Sequence, residues 1–199
     1  MTVWRRCAGL AVAITAIISA TTASGWILTI LPATKALYLE VGVGSLNANN
    51  TTINVVSVNV PMNTVGTGAA QAMTSDSTQS ISFFDNYVVC NPPTQVYIGG
   101  FYRLPATDTT SAVLQVSTPA TLTNGVETIP FSQISWTSTA NGNAAPDIPA
   151  GTFNGGTLFL RNIAANTWVE NCHSFVYANG TTPAGGVYTG RATYTLTSP

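Results

Sequence analysis

Through much of the chain apolar and polar residues alternate one for one, the period of a strand that buries a single face. The segment VYTGRATYTLTSP, residues 187–199, is the clearest case. Tyr188, Gly190, Ala192, Tyr194 and Leu196 fall on one side of an extended chain, and Thr189, Arg191, Thr193, Thr195 and Thr197 on the other. One face is apolar and the other is nearly all hydroxyl. Similar short runs, rich in Val, Ile, Thr, Tyr and Phe, predict strands over 36–43, 52–61, 80–90, 95–104, 111–117, 126–138, 156–163 and 167–178. No helical period extends past residue 25.

Between these runs lie turn-forming clusters such as SLNANNTT, TSDSTQS, CNPPTQ, LPATDTTS and ANGTTPAGG, where Gly, Pro, Asn and Ser set the backbone bends. Short strands with dense turns and no helix predict an all-β sandwich or barrel. In TINVVSVNVP the apolar phase changes, with Ile53 and Val55 on one side and Val56, Val58 and Val60 on the other, which predicts a β-bulge. Gly99 and Gly100, inside VYIGGFYR, predict either a second bulge or a close approach of two backbones.

The beginning of the chain follows a different pattern. Arg5 and Arg6, an apolar run from Cys7 to Ala20 and small residues at 23–25 have the layout of a secretory signal peptide, with cleavage expected near Ala23 or Gly25. This divides the chain into a leader at 1–25, an N-terminal extension at 26–35 and a single β-domain at 36–199. Without the leader, Lys35, Arg103, Arg161 and Arg191 face seven acids, a net charge of −3. That leaves no basic face for nucleic acid. Charged residues are only 7% of the chain, far below the roughly 25% of ordinary soluble domains, so like-charge repulsion between copies is weak. The remaining cysteines, Cys90 and Cys172, are an even pair in an exported chain and are expected to form a disulfide tying two distant strands. In the chain-entropy picture a loop of that length contributes about 4.5 kcal/mol.

The extension, WILTILPATK, is apolar where exported chains usually fray in solvent. Behind it Leu37, Leu39, Val41 and Val43 share one face of a predicted strand. Either this region packs on its own domain, or it docks into a neighbouring copy by adding a strand to an open edge.

The segment PAGGVYTGRATYTLTSP resembles the closing strand of bacterial chaperone–usher pilins and of spore-coat-U-like secreted domains, at Pro183, Ala184, Gly185, Tyr188, Tyr194 and Leu196, with Gly186 fourteenth from the end. Ser198 stands where those pilins usually have a penultimate aromatic residue. The resemblance implies an immunoglobulin-like, pilin-like antiparallel β-sandwich that lacks its final strand. It also implies a filament or coat built by self-association at the cell surface, in which a periplasmic chaperone lends a strand, an outer-membrane usher assembles subunits, and the next copy's extension replaces the loan. On that basis Leu37, Leu39, Val41 and Val43 are candidate donor residues, while Tyr188, Ala192, Tyr194 and Leu196 line the closing strand.

Chemistry beyond assembly has few carriers. His173, the single histidine, has no nucleophile or acid assigned to it by spacing and is expected to be a hydrogen-bonded strand residue. Asp76, Asp85, Glu127, Asp147 and Glu170 are isolated and share no spacing that favours a cleft. No catalytic residue, metal site or cofactor is expected. The rival reading is a monomeric adhesin or carbohydrate-binding module that takes a host glycan or surface receptor, with Tyr97, Phe101, Tyr102, Trp136 and Trp168 as a stacking platform; core packing is the plainer role for those rings. The N-x-T triplets at Asn49, Asn50 and Asn179 are expected to be ordinary turn residues.

Overall fold

The computed structural model describes residues 30–44, 53–141 and 143–199. The expected leader, and residues 26–29 of the extension, lie outside the described residues. In chain order the strands are β1 (Ala36–Val41), β2 (Val56–Ser57), β3 (Gln71–Ala72), β4 (Thr74–Ser75), β5 (Val96–Arg103), β6 (Ser111–Ser117) and β7 (Thr121–Thr123). They continue with β8 (Thr128–Pro130), β9 (Ile134–Ser138), β10 (Gly151–Thr152), β11 (Thr157–Ala164), β12 (Thr167–Tyr177) and β13 (Thr193–Thr197). Every ladder is antiparallel, and no α-helix occurs among the described residues.

A six-stranded sheet runs β1–β5–β12–β9–β10, with β3 pairing the end of β12, and a three-stranded sheet runs β11–β6–β13. Alternation explains how they meet. Ala112, Leu114 and Val116 of β6 are buried every second residue, and they join Ile98 and Tyr102 of β5, Val169 and Tyr177 of β12, Trp136 of β9 and Ile163 of β11 in one core. The two sheets therefore bury a common apolar interior, and removal of this area from water is the main stabilising term.

The predicted strands at 95–104, 111–117, 156–163 and 167–178 match β5, β6, β11 and β12 within a residue or two. Three expectations need correction. Residues 80–90 are a bent hairpin with one bridge, Ile81 to Val88, rather than a strand. The bend comes from Asn86 at φ 63° and from the Ser82 hydroxyl accepting the Phe84 N–H at 3.0 Å. The described part of the run at 52–61, residues 53–61, pairs only at β2, and the proposed bulge is absent there: burial alternates without a break from Ile53 to Val60, with Val56, Val58 and Val60 on the core and Ile53 and Val55 in solvent. The run at 126–138 is cut by Pro130, which lacks a donor, and a 3₁₀ turn at Phe131–Gln133 re-aims the chain into β9.

The glycine pair of β5 causes no slip either. Gly99 lies between Glu40 and Glu170, and Gly100 between Leu39 and Val169, in uninterrupted register. Both mark close approach: a Cβ on Gly99 would fall 2.2 Å from the Tyr97 hydroxyl and one on Gly100 2.4 Å from the Tyr38 carbonyl oxygen. The register shift is in β11 instead, between Phe159 and Arg161. Cys90 and Cys172 form the expected disulfide, with Cα atoms 5.5 Å apart. It joins the end of the hairpin to the central strand β12, not two strands to each other.

Candidate functional site: two unpaired edges and the seam between them

β1 is an edge strand. Among the described residues it hydrogen-bonds β5 and no other strand, in a register that sets Leu39 opposite Gly100 and Val41 opposite Ile98. Leu39 and Val41 pack on the core, whereas Leu37 is 37% exposed and Val43 lies beyond the strand, its N–H donating to Asn54 Oδ1 at 3.1 Å. Gly42, at φ 62°, turns the chain away; Asn54 occupies the space a Cβ would need there. The residues expected to plug a neighbour are thus partly in use within their own sheet.

β13 is one edge of the other sheet, bonded among the described residues only to β6, with Tyr194 opposite Val116 and Leu196 opposite Leu114. Its two faces divide as the alternation requires: Tyr188, Ala192, Tyr194 and Leu196 pack against the core, and Thr193, Thr195 and Thr197 are exposed. The PAG turn ahead of it is pinned by Glu127, whose Oε2 accepts from the Ala184 N–H at 2.8 Å and the Tyr188 hydroxyl at 3.3 Å. Glu127 thus fixes the turn that leads into β13, and the ladder with β6 fixes the strand's register.

The two edges lie side by side. β1 and β13 approach within 8 Å, Cα to Cα, yet no backbone hydrogen bond crosses between them. Lys35 Nζ, just before β1, donates to the Pro199 carbonyl oxygen at 2.5 Å, just after β13, so the strands run in opposite directions. Each edge leaves its outward N–H and C=O groups without a ladder, which is the feature that lets a sheet accept another strand.

The outer face of the large sheet tests the rival chemistries. Trp136, Tyr97 and Tyr102 are buried. Tyr38, Phe101, Trp168 and Phe84 form a row with neighbouring ring centroids 4.3, 5.4 and 5.4 Å apart, and Arg103 covers the end ring at 5.7 Å. These rings pack their faces on one another, in keeping with packing as their plainer role. His173 is fully buried against Trp136, but it is not hydrogen-bonded as expected: neither ring nitrogen has a partner. Burial holds it down to a pKa of about 3.

Most of the acids are dispersed, but Asp85 and Glu170, which no spacing linked, line one cleft. Asp147 pairs with Arg161 at 3.2 Å, Asp76 accepts from the Val55 N–H, and Asp85 from the Tyr87 N–H. One constellation escapes sequence reading. Glu40 and Glu170 flank Gly99 from the two neighbouring strands, and the Tyr97 hydroxyl occupies the place of the missing side chain, donating to Glu170 Oε2 at 2.7 Å. Burial, then the Glu170 carboxylate, push the Tyr97 phenol far up; burial also raises Glu40, an effect the Gly44 N–H at 2.9 Å opposes. Only cross-strand register brings these groups together, and register is not written in one strand. A cleft of about 380 Å³ opens nearby, lined by Asp85, Tyr87, Val88, Val89, Asn141 and Glu170. Among the described residues no three His, Cys, Asp or Glu side chains are grouped to hold a metal ion. Asn179 is buried, with its side chain donating to the Thr64 carbonyl oxygen at 2.7 Å; Asn49 and Asn50 lie outside the described residues.

Compared with protein-family models, with curated proteins and with solved structures, the chain matches none.

Proposed function

We propose that this chain is an exported structural subunit of a bacterial surface filament or coat, polymerising by β-strand addition at the β1/β13 seam. The observation that carries the reading is the pair of facing, unbonded edges over an apolar core. In this reading the two sheets form an immunoglobulin-like, pilin-like sandwich short of one strand. Adjacent strands sit about 4.8 Å apart, so a guest needs roughly twice that distance between its hosts, and the seam must widen by a few ångströms to admit it.

β1 already serves its own sheet, so the donor here is the stub ahead of it, not Leu37, Leu39, Val41 and Val43. Trp26, Leu28 and Ile30 alternate with Ile27, Thr29 and Leu31, and Leu31 is 73% exposed. Burying three large apolar side chains contributes roughly 5–9 kcal/mol before ordering costs. A periplasmic chaperone and an outer-membrane usher are the implied assembly partners, holding the seam covered until the next copy arrives.

The test is deletion of residues 26–35, followed by electron microscopy of the cell surface and electrophoresis in SDS without boiling. Loss of fibres and of the SDS-resistant ladder, with export retained, is expected. Unchanged fibres, or monomer from both strains, contradicts the reading. A monomeric adhesin is the second reading; in its favour is the cleft beside the hairpin, whose Asp85, Asn141 and Glu170 offer hydrogen bonds beside the exposed ring of Tyr87. It predicts monomeric elution and binding on a glycan array.

A further inference from the structure

Within the core, polar groups stand together without partners: both ring nitrogens of His173 and the hydroxyl of Tyr194. The His173 ring lies 5.8 Å from Trp136, nearly parallel to it, with Phe175 at 6.2 Å and Tyr194 at 6.5 Å. Buried polar groups are nearly always hydrogen-bonded, so such a cluster is costly and calls for an explanation. The strands around it differ in how easily they move. β12 and β9 are paired on both sides, as is β5, and displacing any of them breaks two ladders. β13, which carries Tyr194, is five residues long and held by one ladder.

We propose that His173 and Tyr194 form an acid-released latch, in which protonation of the histidine favours a state with β13 lifted from the core and the seam opened. This goes beyond the strand-addition reading and does not need it. The imidazole can take a proton only where water or a counter-charge reaches it, and its surroundings supply neither. Trp136 and Phe175 are apolar, its cross-strand neighbours Val96 and Ser138 carry no charge, and Tyr194, whose phenol burial raises, stays neutral. Lifting β13 removes the Tyr194 ring, whose centre is 6.5 Å from that of the histidine, while leaving the large sheet intact. The closed state holds the ring at about pKa 3, against about 6.5 in water. Each pH unit below that ordinary value therefore favours opening about tenfold.

The experiment is hydrogen exchange of the purified chain at pH 7.0 and 4.5, corrected for the pH dependence of intrinsic exchange, with His173→Phe alongside. Protection over residues 192–198 is expected to fall about 100-fold at the lower pH, while β5 and β12 keep theirs and His173→Phe shows no such fall. Should the phenylalanine variant not fold, His173→Gln retains a polar side chain without the titration and serves the same purpose. An unchanged β13, an equal fall in the variant, or loss of protection in β5 and β12 together with β13 overturns the latch.

Discussion

β12 and β13 both turn one face to the same core and occupy opposite circumstances. β12 spans eleven residues in the middle of the large sheet, with β5 and then β3 on one side and β9 on the other, and its inward side chains Val169, Asn171, His173 and Tyr177 are closed off from solvent. β13 alternates strictly, but Tyr194 and Leu196 are only half-buried and one edge bonds nothing among the described residues. Alternation reports that one face of a strand is covered; it does not report how many neighbours the strand has. Stability belongs to the first strand and the capacity to associate to the second.

Two truncations sharpen that contrast. Trp136→Ala, beside β12, removes a buried indole that packs on Phe153 and donates to the Pro149 carbonyl oxygen at 3.0 Å. It should cost about 3–5 kcal/mol of folding stability. Leu196→Ala, on β13, should cost roughly 1 kcal/mol in the monomer and show its larger effect as a shortened lifetime of SDS-resistant joints. Denaturant midpoints and ladder decay measure the two, and equal losses of monomer stability would erase the distinction.

A smaller effect separates the two faces of the large sheet by pH. Burial raises the Glu40 carboxyl, so its contribution to stability is complete below the ordinary value of 4.5 and fades as pH rises through the higher folded value. His173 has the opposite sign: its contribution is complete above about 6.5 and fades as pH falls toward 3. Glu40→Gln keeps an acceptor for the Gly44 N–H and removes the buried charge, so it should stabilise the fold at pH 8 by on the order of 1 kcal/mol and change little at pH 4. Melting temperatures at the two pH values provide the check.

How far the sequence could be read follows the same division. β6, β11 and β13 were legible because each turns one face to the core, β5 and β12 because their Val-, Ile- and aromatic-rich runs suit strands covered on both faces, and the Cys90–Cys172 pairing was legible from parity. The hairpin at 80–90 was not, since Phe83 and Phe84 satisfy their apolar surface by lying on Tyr97 and Trp168, a packing that mimics strand composition. Nor was the rank of the tryptophans: Trp136 faces the core and Trp168 the aromatic row, although both sit in similar runs. The meeting of Glu40, Tyr97 and Glu170 depends on registers between distant segments, and the seam depends on which strands lack a second neighbour. Each of these is a relation between strands, so no local pattern reveals it.

The measurement closest to the central claim adds a synthetic peptide of residues 26–35 to the purified chain and follows backbone hydrogen exchange along it. A guest strand seated in the seam gains partners on both sides, so protection should rise together in residues 36–41 and 193–197, with the rest of the chain unaltered. Protection that rises in neither segment, or that rises elsewhere, would show that these two edges are not where another copy binds.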